Sequence, residues 1–201
     1  LRSFRLYIAA VAVLFFLLFS FAGYMTAEWY KASDAVLAYS SLNGKSRICL
    51  PDSTFVWLNA GSTLEYFVSR WTKERNVRLD GEAYFEVAHN EKSPFVVRTH
   101  AMDVEVLGTK FNVEAYSAGR TFEASLMQGK VRVKSPANEK LAVVLLPHYK
   151  TTLKDGKLVV SKIDDYNVYR WKEGLYCFKN KPFARIMEDL ERYYDLKIQL
   201  D

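Results

Sequence analysis

The chain has 201 residues, of which 50% are hydrophobic and 15% aromatic, and its formal net charge at pH 7 is +5. This composition excludes an intrinsically disordered protein, because it supplies enough apolar surface for a core. The basic residues are interspersed with acidic ones, whereas nucleic-acid-binding proteins cluster theirs on one face, so no nucleic-acid partner is expected.

The first predicted element is a transmembrane helix over residues 6–25, a stretch without a charged side chain. Twenty helical residues rise about 30 Å, which matches the hydrocarbon thickness of a bilayer. Arg2 and Arg5 precede the stretch and the first acidic residue is Glu28, so the positive-inside rule places residues 1–5 in the cytoplasm. The alternatives are a cleaved signal peptide, which would also export the rest of the chain, and a buried core helix.

Residues 26–46 are predicted to be a tether, and residues 47–162 a β-rich domain in which short strand-like runs alternate with turns. The clearest strand spans 77–87, where apolar residues occupy odd positions and mostly charged residues occupy even ones. Such alternation predicts one buried and one wet face. Gly81 interrupts it, as expected of a bend or bulge.

A change of phase is visible between two further strands. Residues 102–106 are apolar at even positions, and residues 111–115 at odd ones. The backbone must be reset between them to keep both apolar sets on the same side, so Gly108 is predicted to form a bulge or a corner. A phosphate-binding glycine would instead lie in a glycine-rich loop that opens a helix.

Residues 163–201 are predicted to begin a second domain. Apolar side chains recur there at intervals of three and four, the pattern of one buried helical stripe: Phe183, Ile186, Met187, Leu190, Tyr193 and Tyr194. The alternation of Leu196, Ile198 and Leu200 then indicates a strand. We therefore expect an α/β unit, strand–helix–strand, that is truncated at the end of the chain.

The sequence contains no recognisable catalytic motif. Its three histidines belong to no known pattern and are expected to be solvated. Asp80, Glu82 and Glu86 could supply a pair of catalytic carboxylates, but the alternation places them on the wet face of a strand, where charges are solvated. Cys49 and Cys177 stand in separate apolar contexts and are predicted to be buried, unbridged thiols. An enzyme, a cofactor and a metal site are therefore not expected.

Several blocks of sequence, in a fixed order, point to one family. They are LPD at 50–52, VWLNAGS at 56–62, VRLDGEAYFEV at 77–87, PFVV at 94–97, VLGTKFNV at 106–113, GKVRV at 129–133 and WKEG at 171–174. Together they resemble the FecR-type transmembrane anti-sigma regulators. The resemblance implies a mainly β fold, an antiparallel sandwich or a solenoid-like stack, that lies in the periplasm and is anchored in the inner membrane.

The resemblance also implies partners. An outer-membrane TonB-dependent transporter would present its signalling domain to the periplasmic part, and an extracytoplasmic-function sigma factor would respond. The family binds the sigma factor through a cytoplasmic segment, of which only residues 1–5 are present. Two other functions remain open: an envelope lipid-transport or assembly module with an open apolar groove, and an envelope carbohydrate-active enzyme with two acids in a cleft.

The transporter is predicted to bind the C-terminal unit, residues 178–201. Arg185 and Arg192 lie outside the predicted buried stripe and next to Tyr193 and Tyr194, and arginine and tyrosine dominate binding hot spots. The exposed strand edge of an incomplete unit would offer a further contact. The alternative is that both tyrosines pack into the unit's own core and that the arginines are solvated.

Overall fold

The computed structural model describes residues 2–31, 35–68, 75–179, 181–194 and 196–199. It begins with α1 (Arg2–Lys31), and a 3₁₀ helix (Tyr166–Glu173) and α2 (Phe183–Tyr194) lie near its C-terminal end. Between them the described residues form the strands β1 (Ala35–Ser41), β2 (Ser46–Cys49), β3 (Phe55–Leu58), β4 (Ser62–Val68), β5 (Arg75–Glu86), β6 (Phe95–Arg98), β7 (Asp103–Val106), β8 (Lys110–Ala115), β9 (Glu123–Gln128), β10 (Val131–Lys134), β11 (Ala142–Leu145), β12 (Tyr149–Lys154) and β13 (Lys157–Lys162). The mainly β fold class is thereby confirmed.

The predicted membrane span, residues 6–25, is helical and lies within α1. Most of its described large apolar side chains are exposed, from Ile8 (53%) through Phe19 (82%) to Met25 (52%), and Val11 is half-buried. In the part of the chain that the structure describes, no helix has both the length and the apolar character needed to cross a membrane.

The strands form two sheets that share β5. The first sheet has the order β1-β4-β5-β6-β7-β10-β11, and the second β2-β3-β5-β8-β9-β12-β13. β5 pairs with β4 and β6 through its first half and with β3 and β8 through its second half. Among the described strands every pair is antiparallel except β5–β6, which is parallel.

The core lies between the two sheets. Phe85 and Phe111 of the second sheet are fully buried and stack with ring centroids 4.9 Å apart, and Phe95 of the first sheet meets Phe85 edge-on at 6.0 Å. Each such side chain contributes about 1.5–3 kcal/mol through its removal from water. Because side chains of both sheets interdigitate, the domain is a sandwich, which decides between the two predicted arrangements.

β5 shows the predicted burial. Its odd-numbered apolar residues Val77, Leu79, Ala83 and Phe85 all lie in the core. Gly81 is the point at which β5 passes from one sheet to the other, with φ +124°. A Cβ atom there would lie 2.3 Å from Ser62 Oγ, so the close approach of β4 requires glycine. The predicted bend is confirmed.

Gly108 forms a corner, one of its two predicted roles. β7 belongs to the first sheet and β8 to the second, so the chain crosses the sandwich between them. The crossing explains the change of phase, because both strands then direct their apolar side chains inward. A Cβ at Gly108 would lie 2.5 Å from His89 Nδ1, so no larger residue fits.

The segment 26–46, predicted as a tether, contains a strand. β1 pairs with β4 from Ala35 opposite Val68 to Ser41 opposite Ser62, so residues 35–41 belong to the first sheet. The tether prediction is therefore wrong for these residues. Their sequence lacks a clear alternation, and the strand forms because β4 offers it an edge.

The C-terminal region is helical rather than α/β in the residues that are described. α2 coincides with the predicted helix, but the predicted strand is wrong for residues 196–199. The Ile198 N–H donates instead to Glu191 Oε1 at 2.7 Å, which folds the chain back against α2. No described strand lies beside these residues to supply a ladder, and Leu200 lies outside the described residues.

Both cysteines are free, as predicted. Cys49 is exposed and Cys177 is half-buried, so the prediction that both are buried is wrong. The three histidines, His89, His100 and His148, are exposed as expected.

Candidate functional site

The outer face of the second sheet, which the alternation of β5 predicts to be wet, is covered by the C-terminal segment. Tyr84 on this face is only 4% exposed, because Lys172 of the 3₁₀ helix places its Nζ atom 3.7 Å from the centre of the ring. Lys45 Nζ donates to the Lys172 carbonyl at 2.7 Å and holds the same helix from the other side. A cation over an aromatic face is attractive by about 0.5–2 kcal/mol.

The 3₁₀ helix is fixed in place by its two ends. The Asp165 carboxylate accepts a hydrogen bond from the Asn167 N–H at 2.9 Å, and Gly174 adopts a left-handed conformation, φ +91°, that lets its N–H donate to the Trp171 carbonyl at 2.8 Å. The helix directs Tyr169 and Trp171 into the protein, where both are buried.

Glu82 lies where the C-terminal segment covers the outer face of the second sheet. Its carboxylate accepts hydrogen bonds from Asn59 Nδ2 at 2.7 Å and Asn112 Nδ2 at 2.9 Å. Glu114 stands directly opposite it on β8. Like charges in opposed positions of a sheet destabilise the pairing, so two carboxylates here favour a protonated state.

Burial, and secondarily the nearby Glu114, raises the pKa of Glu82 to about 7. Burial also raises the pKa of Glu114, with Glu123 as the next cause. The prediction that Glu82 is solvated is therefore wrong, because the C-terminal segment covers the face on which it lies. Asp80 is exposed and accepts a hydrogen bond from Ser117 Oγ at 2.6 Å.

α2 is attached to the sheet by its polar side. Within α2, all of whose residues are described, only Asp189 is buried. Its carboxylate pairs with Lys181 and lies 3.7 Å from Arg192. The guanidinium of Arg192 in turn lies 4.1 Å from the centre of the Tyr116 ring on the sheet side. Ion pairs and a cation–π contact thus take the place that apolar contacts usually have under an amphipathic helix.

Tyr193 completes the attachment. Its ring stacks on Tyr176 with centroids 4.1 Å apart, and its hydroxyl accepts a hydrogen bond from Asn59 Nδ2 at 3.4 Å. Burial, followed by the nearby Glu82, raises the pKa of Tyr193, which stays a neutral phenol at physiological pH.

The predicted apolar stripe of α2 points away from the sheet. Phe183 is 62% and Tyr194 is 59% exposed, and the intervening Ile186, Met187 and Leu190 are only half-buried. At 100° per residue, Phe183 and Tyr194 lie about 120° and 140° around the helix from the buried Asp189, which places them on the solvent side. The prediction that this stripe is buried is wrong. We call its five residues, Phe183, Ile186, Met187, Leu190 and Tyr194, the outward face.

The four predicted partner-binding residues divide into two pairs. Arg185 is 60% exposed and pairs with Glu188 at 2.6 Å, and Tyr194 belongs to the outward face. Arg192 and Tyr193 lie against the sheet instead. The four residues are thus close in sequence but do not form a single surface.

Sequence reasoning missed Asn59 and Asn112, which are 0% and 3% exposed and hold the Glu82 carboxylate. One signal was present: Asn112 lies between Phe111 and Val113 in an apolar strand, where a buried amide needs a partner. In the described ranges, no group of three or more histidine, cysteine, aspartate or glutamate side chains is arranged to hold a metal ion.

Comparison with known proteins adds a family and two crystal structures. The family model described as FecR protein matches residues 38–162. Two crystal structures of a candidate anti-sigma factor from Parabacteroides distasonis ATCC 8503 are each similar to the chain at 34% sequence identity. The first has a TM-score of 0.72 and covers 80% of this chain and 76% of its own, and the second has 0.71, 79% and 75%. No curated protein matches the chain. The family match begins inside β1 and ends with β13, so it spans nearly the whole sandwich.

Proposed function

This chain belongs to the FecR family, and we propose that it is the sensor part of an anti-sigma regulator that relays a signal from an outer-membrane TonB-dependent transporter to an extracytoplasmic-function sigma factor. The family match and the similarity to two structures of a candidate anti-sigma factor support the regulatory role. The sigma factor would be bound by a cytoplasmic segment of the regulator.

The closed core favours a sensor over a lipid-transport module. A lipid carrier needs an open apolar interior, whereas the largest core side chains here, such as Phe85, Phe95 and Phe111, are 0% exposed and fill the space between the sheets. The carbohydrate-active enzyme has no specific support either, since Glu82 is tied to two asparagine amides beneath the C-terminal segment.

Residues 6–25 would anchor the regulator in the inner membrane. The stretch is uncharged and helical, and most of its described large apolar side chains, such as Phe19 at 82%, are exposed. An alkaline phosphatase fused after residue 201 should be active, because the positive-inside rule places that end in the periplasm. Activity of a cytoplasmic reporter at the same position would reverse this topology.

The outward face of α2 is the observation that carries the proposed contact with the transporter. An amphipathic helix is stabilised by burying its apolar side, yet α2 buries its polar side and leaves Phe183 and Tyr194 in solvent. An apolar helix face of this kind is typical of surfaces that dock on a partner. Arg185 is also exposed, on the side of α2 about 180° from Tyr194, and arginine is enriched in binding hot spots.

The four predicted residues would have two roles. Tyr194 would contact the signalling domain of the transporter directly, and Arg185 would do so where the partner reaches round the helix. Arg192 and Tyr193 would hold α2 on the sheet and so present the outward face in a fixed orientation. Partner binding would therefore depend on the second pair only through the position of the helix.

Binding to signalling domains of TonB-dependent transporters from the same organism tests this contact. The full-length regulator carrying Arg185→Glu and Tyr194→Ala should bind at least about tenfold more weakly, as expected for two hot-spot residues. Arg170→Glu is the matched control, because Arg170 also forms an exposed ion pair with a glutamate three residues later, Glu173, but lies outside α2.

The result shows whether the two named side chains bind the partner or whether other residues of the C-terminal region do. If the double variant binds at full strength but a regulator lacking residues 175–201 does not, the C-terminal region binds the partner through residues other than Arg185 and Tyr194. If the shortened regulator also binds, the contact lies elsewhere. If the intact regulator binds no signalling domain, the relay itself is contradicted.

A further inference from the structure

A groove of about 540 Å³ lies on the outside of the sandwich, at one end of the first sheet. Three of its lining residues, Glu105, Arg132 and Val144, stand opposite one another on β7, β10 and β11. Their strand neighbours Val133 and Leu145 are buried, so by alternation the three side chains point away from the core. The groove is therefore separate from the closed core between the two sheets.

Aliphatic side chains of the groove are open to solvent. Leu107 is 41% and Val144 is 53% exposed, and both line the groove. Gly108 and Gly129, which also line it, carry no side chain that could cover them. Exposed apolar residues that share one surface depression, rather than being scattered singly, indicate a contact site.

The same groove carries positive charge that no acidic group of the protein balances. In the described part of the chain, neither Lys130 nor Arg132 belongs to an ion pair or to a side-chain hydrogen bond. Glu105, the acidic residue among the described lining residues, lies 3.2 Å from Lys134 Nζ and is neutralised there. The ring of His89, also in the lining, lies beside the Glu91 carboxylate. The groove thus suits a partner that is anionic and partly apolar.

Only a short connection separates the proposed membrane span from the sandwich. α1 ends at Lys31 and β1 begins at Ala35, and these four steps along the chain span at most about 14 Å. Residues 26–31, the part of α1 that follows the uncharged stretch, rise about 9 Å, which is comparable to the thickness of one headgroup layer. With the span in a bilayer, the sandwich would be held at the membrane surface.

The strand registers place the groove at the end of the first sheet to which this connection leads. Ala35 begins β1 opposite Val68, the last residue of β4, and the antiparallel β5 begins beside it. The parallel β6 begins at the same end, and β7 ends there with Val106 opposite Phe95, followed directly by Leu107. Six inter-strand spacings of about 4.8 Å separate β1 from β11, so the groove lies no more than about 30 Å from Ala35.

From these observations we propose that the groove docks on the surface of the membrane that holds the anchor. Lys130 and Arg132 would contact the headgroups of anionic phospholipids, and Leu107 and Val144 would enter the interfacial layer. This contact requires the proposed anchoring of residues 6–25 in the inner membrane, and so it rests on the proposed function. α2 lies on the second sheet, so its outward face would stay accessible to the transporter while the first sheet is docked.

Two exposed valines on edge strands provide matched positions for a probe. Val144 lines the groove on β11, whereas Val159, 45% exposed, lies on β13 at the edge of the second sheet. Val144→Cys and, separately, Val159→Cys are introduced into the full chain, in which Cys49 and Cys177 are replaced by serine, and each is labelled with bimane. The labelled chains are placed in nanodiscs of phosphatidylcholine, alone or mixed about three to one with phosphatidylglycerol, an anionic lipid. Lipids with a nitroxide headgroup quench the probe where it touches the membrane, and fluorescence lifetimes give the ratio of docked to free protein.

The probe at position 144 should be quenched in the mixed nanodiscs, and the probe at position 159 should not. Each basic residue near an anionic surface contributes about fivefold to binding, so Lys130→Gln together with Arg132→Gln should lower the ratio of docked to free protein about thirtyfold. Lys154→Gln together with Lys157→Gln is the matched control, because these two exposed lysines flank the β12–β13 turn, away from the groove. The control should leave the ratio unchanged.

Three outcomes would overturn the proposal. If the chain enters the nanodiscs but the probe at position 144 is quenched no more than the probe at position 159, the anchor is correct and the docking is wrong. If quenching at position 144 is equally strong without phosphatidylglycerol, or survives the change of Lys130 and Arg132, anionic lipid is not what the groove binds. If the chain does not enter nanodiscs at all, the proposed anchor fails, and the docking fails with it.

Discussion

The sandwich core and the attachment of α2 are held by opposite kinds of contact. In the core, Phe85, Phe95 and Phe111 are fully buried and pack ring against ring. At α2 the buried side chain is Asp189, while Phe183 is 62% exposed. Apolar side chains are therefore fully buried in the core, whereas at α2 the fully buried group is a carboxylate.

Because of this difference, the sandwich core and the attachment of α2 to the sheet should respond differently to pH. Apolar burial scales with the area removed from water and does not depend on pH. Ion pairs and buried carboxylates, by contrast, respond to pH, and their net contribution is small because desolvation opposes attraction. We therefore expect α2 to leave the sheet under conditions in which the sandwich stays folded.

The largest effect is expected from Phe111→Ala in the core. Loss of a fully buried phenylalanine costs about 3–5 kcal/mol, a large part of the stability of a domain. Urea unfolding followed by circular dichroism measures the change. Phe183→Ala is the control, and it should change the free energy of unfolding by less than about 0.5 kcal/mol because that side chain is mostly in solvent. Similar losses in both variants would show that α2 packs as an ordinary core helix.

An intermediate effect is expected from Arg192→Ala at the attachment. The variant loses the contact with Tyr116 at 4.1 Å and the pairing with Asp189. A half-exposed cation–π contact contributes about 1 kcal/mol, so amide hydrogens of α2 should exchange about fivefold faster while those of β5 and β8 do not change. Hydrogen exchange by mass spectrometry measures both. Arg185→Ala, which removes an exposed arginine of the same helix, should leave exchange in α2 nearly unchanged, and equal acceleration would contradict the assignment.

Below about pH 5 the smallest effect is expected from Glu82→Gln, because the carboxyl is then protonated and glutamine keeps its shape; the variant changes mainly the response to pH. Facing Glu82 are Glu114 on β8, Tyr116, Lys181 and Tyr193. The pKa of Glu82 is about 7 in the folded protein, whereas its ordinary value is 4.5. The contribution of Glu82 to stability is therefore fully present below pH 4.5 and is lost as the pH rises through about 7. The urea midpoint of the unmodified protein should therefore fall between about pH 5 and pH 8, and less so in the variant.

Glu86→Gln is the matched control for this measurement. Glu86 lies on the same face of β5 and pairs with Lys110 at 3.5 Å. In the control variant, the urea midpoint should fall with rising pH as much as it does in the unmodified protein. Equal pH profiles in all three proteins would assign the dependence to another group.

Local patterns in the sequence were sufficient for the elements and for much of their connectivity. The period-2 alternation located β5 and its buried residues, the change of phase located the corner at Gly108, and the intervals of three and four located α2. Each pattern is a property of consecutive residues, and the geometry of a strand or helix repeats over the same distance. The ordered blocks of sequence likewise identified the family.

The environment of each outer face was decided only by the tertiary structure. Alternation placed Glu82 opposite the core correctly, but it could not show that α2 and the 3₁₀ helix cover that face. In the same way, periodicity found the apolar stripe of α2 but not its orientation, which depends on Asn59, Tyr116 and the Glu82 carboxylate. These groups lie far from α2 in sequence; Asn59 and Tyr193, for example, are 134 positions apart. Which side of a helix is buried depends on the surface that receives it, and that surface exists only once the sandwich has folded.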